Sequence, residues 1–367
     1  MKILYDYGAF SRQFYGGVSR YFVELTRELG NRGSVQPRII APYHINRHLS
    51  ELGPDIVHGR LLKRLPRAAG KLLNIYNKAA FKVQANLYQA DILHETYFFR
   101  NGFELSGNPA RVVTVYDMIH EKFPNYFSAI DRTIINKHAA VARADHVICI
   151  SETTRRDLID IFGVDASKTS VVKLGFSAPV ITPKSLPRIP NRPYILYVGV
   201  RSGYKNFGSL LEAYVGNTAL RNNFQLVCFG AQNFTGAERS SIRRLGLSGE
   251  DVLWVGGSDV KLVNLYRHAA VFVFPSLYEG FGMPPLEAMA QSCPVVCSNA
   301  GSIPEVVGDA GEYFEPQDTF SIAKAIENVV GSSQRMETLR AAGKEQIKAF
   351  TWAKCAQGTE TVYSRLT

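Results

Sequence analysis

Two acidic and two basic residues are spaced so that they could handle a charged, hydroxyl-rich ligand. The run Ser276 to Glu287 carries Glu279 and Glu287 eight positions apart, around Gly280, Phe281, Gly282, Met283 and two prolines. An apolar strand pattern precedes this run and helical spacing follows it. The glycines let backbone approach an anion, and the amides near Phe281, Gly282 and Met283 would point at it from a helix start. Both carboxylates can rim one pocket and accept hydrogen bonds from sugar hydroxyls. As ordinary structure, Glu279 would be a loop carboxylate and Glu287 a charge stabilised by the helix dipole. Arg201 and Lys205 stand in a matching loop, Val200 to Asn206, also between strand and helix. A guanidinium fork and a lysine point charge can stabilise a diphosphate as it leaves, although two solvated surface cations would read the same way.

No Asp-x-Asp triplet occurs in the chain, so a paired-carboxylate clamp for a divalent metal on a diphosphate is missing, and cationic side chains are expected to take the metal's place. No cofactor is expected. The five cysteines are odd in number and scattered, mostly in apolar runs, the pattern of reduced cytosolic thiols rather than of a disulfide frame or a zinc site. The N-terminus lacks a signal-peptide core and no segment approaches the roughly 20 apolar residues that span a bilayer, which places the expected location in the cytoplasm.

The net charge of +10 is concentrated. Residues 32 to 82 hold ten Lys and Arg against two acids, Glu51 and Asp55. Treated as a helix, Pro66 to Lys82 sets Ala68, Leu72, Ile75, Tyr76 and Ala79 on one face, with Arg67, Lys71, Lys78 and Lys82 on an adjoining one. Such a helix suits an anionic membrane surface, where segment 60–82 could receive a lipid-linked acceptor; the alternative is a core-packed helix with a solvated basic side. Nucleic acid is not an expected partner, since the segment has neither a docking motif nor interleaved aromatics.

The elements that must position these residues alternate strictly. Strands are expected at Lys2 to Tyr7, Arg38 to Ala41, Ile92 to His94, Val112 to Tyr116 and His146 to Ile150. Pro179 to Pro193 holds five prolines without periodicity and reads as a linker. Strands then resume at Tyr194 to Val200, Gln225 to Phe229, Val252 to Val255, Val271 to Pro275 and Pro294 to Ser298, with helices between. At 367 residues the chain exceeds one core. The expected architecture is α/β: two Rossmann-like doubly wound parallel sheets, residues 1–178 and 194–350, with 351–367 returning to the first, facing a cleft at the carboxyl ends of their strands.

Taken together, the motif Glu279 to Ala290, the Arg201-x3-Lys205 pair, the Gly16-Gly17 loop and Ala142 to Asp145 leading to Ser151 resemble the glycosyltransferases of family 4, over nearly the whole chain. The resemblance implies the GT-B fold and a retaining transfer. It implies a nucleotide-sugar donor held mainly by the C-terminal domain and a saccharide or lipid-linked saccharide acceptor held by the N-terminal one. It further implies that Arg201 and Lys205 hold the diphosphate, with Gly16 and Gly17 close by. Glu279 would meet the sugar, Glu287 the ribose, and backbone of Gly280 to Met283 the donor. Backbone near Trp254 to Ser258, including Gly256, would meet the base, uridine being favoured over guanosine. The family's usual donor-facing histidine is replaced by Tyr116, which leaves Tyr116, Asp117 and His120 as candidates for the reaction centre. That departure keeps a non-catalytic sugar-nucleotide sensor or scaffold in play, alongside a GT-B isomerase or hydrolase.

Overall fold

The computed structural model describes residues 1–63, 70–178, 190, 192–201, 203–230 and 232–367, so most of the proline-rich linker and residues 64–69 of the basic segment lie outside the described residues. The chain divides into two compact units, Met1–Gly175 with Phe350–Thr367, and Phe176–Ala349.

The first unit is built on seven strands: β1 Lys2–Tyr5, β2 Gln36–His44, β3 Val57–Leu61, β4 Ile92–Glu95, β5 Ala110–Val115, β6 His146–Cys149 and β7 Thr169–Val171. All pairs are parallel, in the order β3-β2-β1-β4-β5-β6-β7. The second unit has β8 Tyr194–Val198, β9 Gln225–Phe229, β10 Val252–Val255, β11 Val271–Phe274, β12 Val295–Ser298 and β13 Gly311–Phe314, in the order β10-β9-β8-β11-β12-β13. Both orders reverse direction beside the first strand, the doubly wound arrangement in which ligands lie beyond the strand ends at the reversal. The central strands are apolar on both faces because helices cover both: every residue of β4, β6, β11 and β12 is buried.

The three strands the periodicity did not anticipate, β3, β7 and β13, are all edges. An edge strand has one neighbour and a wet side, so Val57-His58-Gly59-Arg60-Leu61 carries no apolar run. Strands β1 and β8 also end earlier than expected, at Tyr5 and Val198, where Asp6 and Gly199 turn the chain.

Pro42 interrupts β2, where the register against β3 shifts between Ala41 and Tyr43. The helix Gly70–Tyr88 repairs the fault. Its buried Asn77 accepts from Tyr43 N at 2.9 Å and donates to Tyr43 O at 2.8 Å. This helix buries Asn77, Phe81, Ala85 and Tyr88 and leaves Leu72, Ile75, Tyr76, Ala79 and Val83 outward, with Leu87 81% exposed. The face expected to be apolar is therefore the exposed one. Among the described residues no helix is long and apolar enough to cross a membrane.

The last helix, Trp352–Ser364, packs on the helix Gly17–Arg32 of the first unit. Its Tyr363 hydroxyl lies 3.1 Å from the Tyr5 hydroxyl and 2.6 Å from His94 Nδ1, and His94 Nε2 lies 2.8 Å from Thr114 Oγ1. Full burial drives the His94 pKa down to about 3, so folding holds the ring neutral while the unfolded chain would protonate it near its ordinary value of about 6.5. Stability should fall as pH drops from about 6.5 towards 3. In urea titrations from pH 7 to pH 4, the advantage of the wild type over His94→Gln should shrink steadily; a constant difference would refute a neutral buried ring.

Candidate functional site

In the second unit the loops that follow β8 and β11 meet. Lys205, in a 3-10 turn Gly203–Lys205 after β8, reaches Glu279 after β11, Nζ to Oε1 2.6 Å, with both side chains mostly buried. The sequence offered these two residues as separate contributors; the fold makes them partners. The backbone around them is pinned by side chains. Asn206, in the left-handed region at φ 57, donates to the carbonyls of Pro275 and Pro316. Leu277 N donates to Tyr204 O at 2.8 Å. Fully buried Ser302 donates to the carbonyls of Glu279 and Phe281 at 2.8 and 3.0 Å. Neighbouring Gly301 is required there: its φ is +62 and a Cβ would stand 2.9 Å from Glu279 N. Gly282, at φ +115, caps the helix Met283–Ala290, whose prolines occupy its first turn. The amides of Phe281 and Met283 thus flank a helix start, the geometry that favours an anion. Within that helix Glu287 accepts from the buried Tyr266 hydroxyl at 3.2 Å.

Arg201 does not converge on Lys205's partner. Its side chain is only 5% exposed, with Nε 2.8 Å from Glu238 and Nη2 donating to the carbonyls of Gln232 and Asn233. The guanidinium also lies 5.0 Å from the Phe234 ring centre. Glu238 completes a capping box with Thr235. Burial pushes its carboxyl up, but the bonds from Arg201 and Thr235 outweigh this and leave it below the ordinary range. Each cation of the pair is therefore already matched to one carboxylate. Beside them, Trp254 Nε1 donates to Gly230 O at 3.1 Å, and a cavity of about 370 Å³ is lined by Pro190, Trp254, Val255, Gly256, Lys261 and Leu265, with Leu253 behind.

Sequence reasoning missed Asn206, Ser302, Glu238 and Tyr266. Glu238 was legible as Thr235-x-x-Glu238, a capping-box spacing. Ser302 follows a glycine at a strand exit and precedes a proline, a turn signature without chemical content.

In the first unit, Gly16 and Gly17 open the helix Gly17–Arg32, and a Cβ on Gly17 would meet nothing within 4 Å. A Cβ on Gly16, by contrast, would collide with the Gln13 side-chain amide. Tyr116 follows β5 directly; its hydroxyl is buried without a hydrogen-bond partner among the described residues and its ring stands edge-on to Tyr21 at 5.8 Å. Burial raises its pKa, with Tyr21 and Asp6 adding to the effect. Asp117 accepts from Ile119 N at 3.0 Å. His120 is stacked on Phe127 at 3.8 Å with Nε2 3.5 Å from Asp131, while its Nδ1, like the Tyr116 hydroxyl, is buried without a hydrogen-bond partner among the described residues. Among the described residues no three His, Cys, Asp or Glu side chains gather as a metal site would require.

Comparison with known proteins points one way. The family described as Glycosyl transferases group 1 matches residues 181–346, and Glycosyltransferase Family 4 matches residues 15–178. The chain is 30% identical to the O-antigen chain mannosyltransferase B of Escherichia coli, covering 95% of this chain and 96% of that one. Among solved structures, the sucrose-phosphate synthase of Thermosynechococcus elongatus superposes with a TM-score of 0.74 at 22% identity, over 100% of this chain and 99% of that one. Anabaena HepE, solved with UDP and glucose, gives 0.73 at 19% identity over 100% of both chains.

Because Arg201 braces the loop from Gln232 to Glu238, Arg201→Ala should destabilise the second unit by about 3 kcal/mol, the cost of leaving a partly buried carboxylate alone. Urea unfolding followed by Trp254 fluorescence measures this, and a change under about 0.5 kcal/mol, the surface norm, would show that the ion pair braces nothing.

Proposed function

Since the chain belongs to glycosyltransferase family 4, has the GT-B fold and is a glycosyltransferase of polysaccharide synthesis, we propose that it moves a hexose from a nucleotide diphosphate sugar to a saccharide, with retention at the anomeric carbon and without a metal. The observation that carries this reading is the Lys205–Glu279 pair at 2.6 Å, set between two strand exits and a helix start. Lys205 exchanges its carboxylate for the incoming diphosphate. Its charge then offsets the charge that develops on the leaving group, while the released Glu279 accepts hydrogen bonds from the sugar hydroxyls. The amides of Phe281 to Met283 hold the phosphate that the helix dipole favours. Glu287 takes the ribose hydroxyls, and the cavity beside Trp254 and Gly256 takes the base. Tyr116, directly after β5 at the position of the family's usual histidine, is the group of the first unit that binds the donor sugar, with a hydroxyl that has no hydrogen-bond partner among the described residues. The name of the full-length relative favours mannose as the sugar.

The acceptor is a saccharide or a lipid-linked saccharide, and the protein binds an anionic membrane face at which a lipid-linked one would be presented. The outward stripe Leu72, Ile75, Tyr76, Val83 and Leu87, with Lys78 and Lys82 exposed beside it, gives the apolar contact and the charge that such a surface requires.

Three outcomes are expected. GDP or UDP at 100 times its dissociation constant adds about 2.7 kcal/mol of stability, read as a thermal shift; no shift with GDP, UDP or ADP would end the donor assignment. Lys205→Ala lowers kcat/KM about 100-fold, as loss of a transition-state charge partner does, while EDTA leaves wild-type turnover unchanged; loss of turnover on chelation would refute metal independence. Sedimentation with phosphatidylglycerol vesicles captures the wild type and not Leu72→Asp/Ile75→Asp, whereas equal capture of both would remove the membrane face.

A further inference from the structure

The loop between β1 and the helix Gly17–Arg32 does something its glycines do not explain. It ends on two large aromatic residues turned to solvent, Phe14 at 45% and Tyr15 at 60% exposed. Exposed rings on a mobile loop would be unremarkable, but this loop is stapled to the one that follows β2. Asn46, wholly buried, donates to Gln13 O at 2.9 Å and Ser19 Oγ at 2.8 Å and accepts from His48 N at 3.0 Å. Arg47 N donates to Phe14 O at 3.0 Å, and Ile45 N to Phe10 O at 3.2 Å. The staple presents the rings in a set order. His48 stands edge-on to Tyr15 at 5.2 Å, and the Arg47 guanidinium lies 5.7 Å from the Tyr15 ring centre.

The Arg47 guanidinium beside Tyr15 forms no ion pair among the described residues, whereas Arg12 lies over the Tyr97 ring at 4.6 Å. Glu51 lies nearby but is held by His48 at 3.0 Å and Arg27 at 3.0 Å. A rigid ring with an unpaired guanidinium beside it matches one kind of ligand. The C–H face of a pyranose lies on the aromatic face, and a planar fork takes two oxygens of a phosphate.

We propose that Phe14, Tyr15 and Arg47 form a subsite for a phosphorylated saccharide, the acceptor, with the sugar stacked on Tyr15 and the phosphate at Arg47. This rests on the glycosyltransferase reading above and adds the chemical class of acceptor and the residues that select it. A free sugar phosphate and a lipid diphosphate-linked saccharide share this chemistry.

Saturation-transfer NMR on the full chain tests it, with mannose 1-phosphate, methyl mannoside, inorganic phosphate and farnesyl diphosphate-linked mannose as probes. Mannose 1-phosphate should bind the wild type, lose about tenfold or more in affinity in Tyr15→Ala and in Arg47→Ala, as truncated anchors do, and keep its affinity in Tyr15→Phe. Methyl mannoside should respond to Tyr15→Ala alone and inorganic phosphate to Arg47→Ala alone. Tighter binding of the farnesyl probe than of mannose 1-phosphate assigns the lipid-linked source, and equal binding the free one. Unchanged affinity in Tyr15→Ala overturns the proposal. So does failure of every probe to bind a wild type that still shows the nucleotide thermal shift, or loss of vesicle capture in Tyr15→Ala, which would make the rings a membrane contact. Absence of the nucleotide shift itself would instead be a failure of the parent reading.

Discussion

Beyond the end of a parallel strand the loop backbone has amides and carbonyls that the sheet cannot satisfy, and at the carboxyl ends of these two sheets buried or half-buried polar side chains take some of them over. Asp6 receives Gly8 N, Thr96 N and the Thr96 hydroxyl after β1. Asn46 ties the loop after β2 to the one after β1, Asn206 holds the chain beyond β11 and β13, and Ser302 the turn that carries Glu279. The arrangement satisfies backbone groups that the sheet cannot. It also fixes the loops on which chemistry can be placed, because a side chain is only as well positioned as the backbone beneath it.

Burial of those braces has electrostatic consequences. Desolvation, and then the neighbouring Glu95, raise the Asp6 pKa to about 7 although three donors face its carboxylate. Glu95 keeps its own charge matched by Arg143 and Arg111. The same rule governs the second unit, where Arg201 is matched by Glu238 and Lys205 by Glu279. In the second unit both of these cations stand in pairs with carboxylates, so the proposed diphosphate ligand would bind by exchange with a carboxylate rather than by meeting bare cations. Lys205 can exchange more readily than Arg201, whose remaining bonds run to backbone carbonyls.

Much of this was legible in the residues. The alternation of apolar strands with amphipathic helices located ten of the thirteen strands, because a strand covered on both faces must be apolar throughout. The loop Ser276 to Glu287 was recognisable because glycine, proline and carboxylate at a strand-to-helix turn have a chemical meaning of their own. Three of the four edge strands, β3, β7 and β13, escaped because a strand with one neighbour needs no apolar signature, whereas the fourth, β10, carries one in Val252 to Val255. The helix Gly70–Tyr88 was read with its apolar stripe inward as one alternative, yet Asn77 and Phe81 face the sheet and Leu72 and Ile75 do not.

Sequence by itself determined the class of fold, the two-sheet organisation and the family, since these follow from local periodicity and from motifs confined to a dozen residues. Only the tertiary structure decided which cation meets which carboxylate. Arg201 and Lys205 lie four positions apart, but one is turned to a capping glutamate 37 residues away and the other to a strand exit 74 residues away. It likewise decided that Asn46 joins two loops into one platform. Such pairings depend on sheet order, which brings distant strand ends side by side, and no local spacing encodes that order.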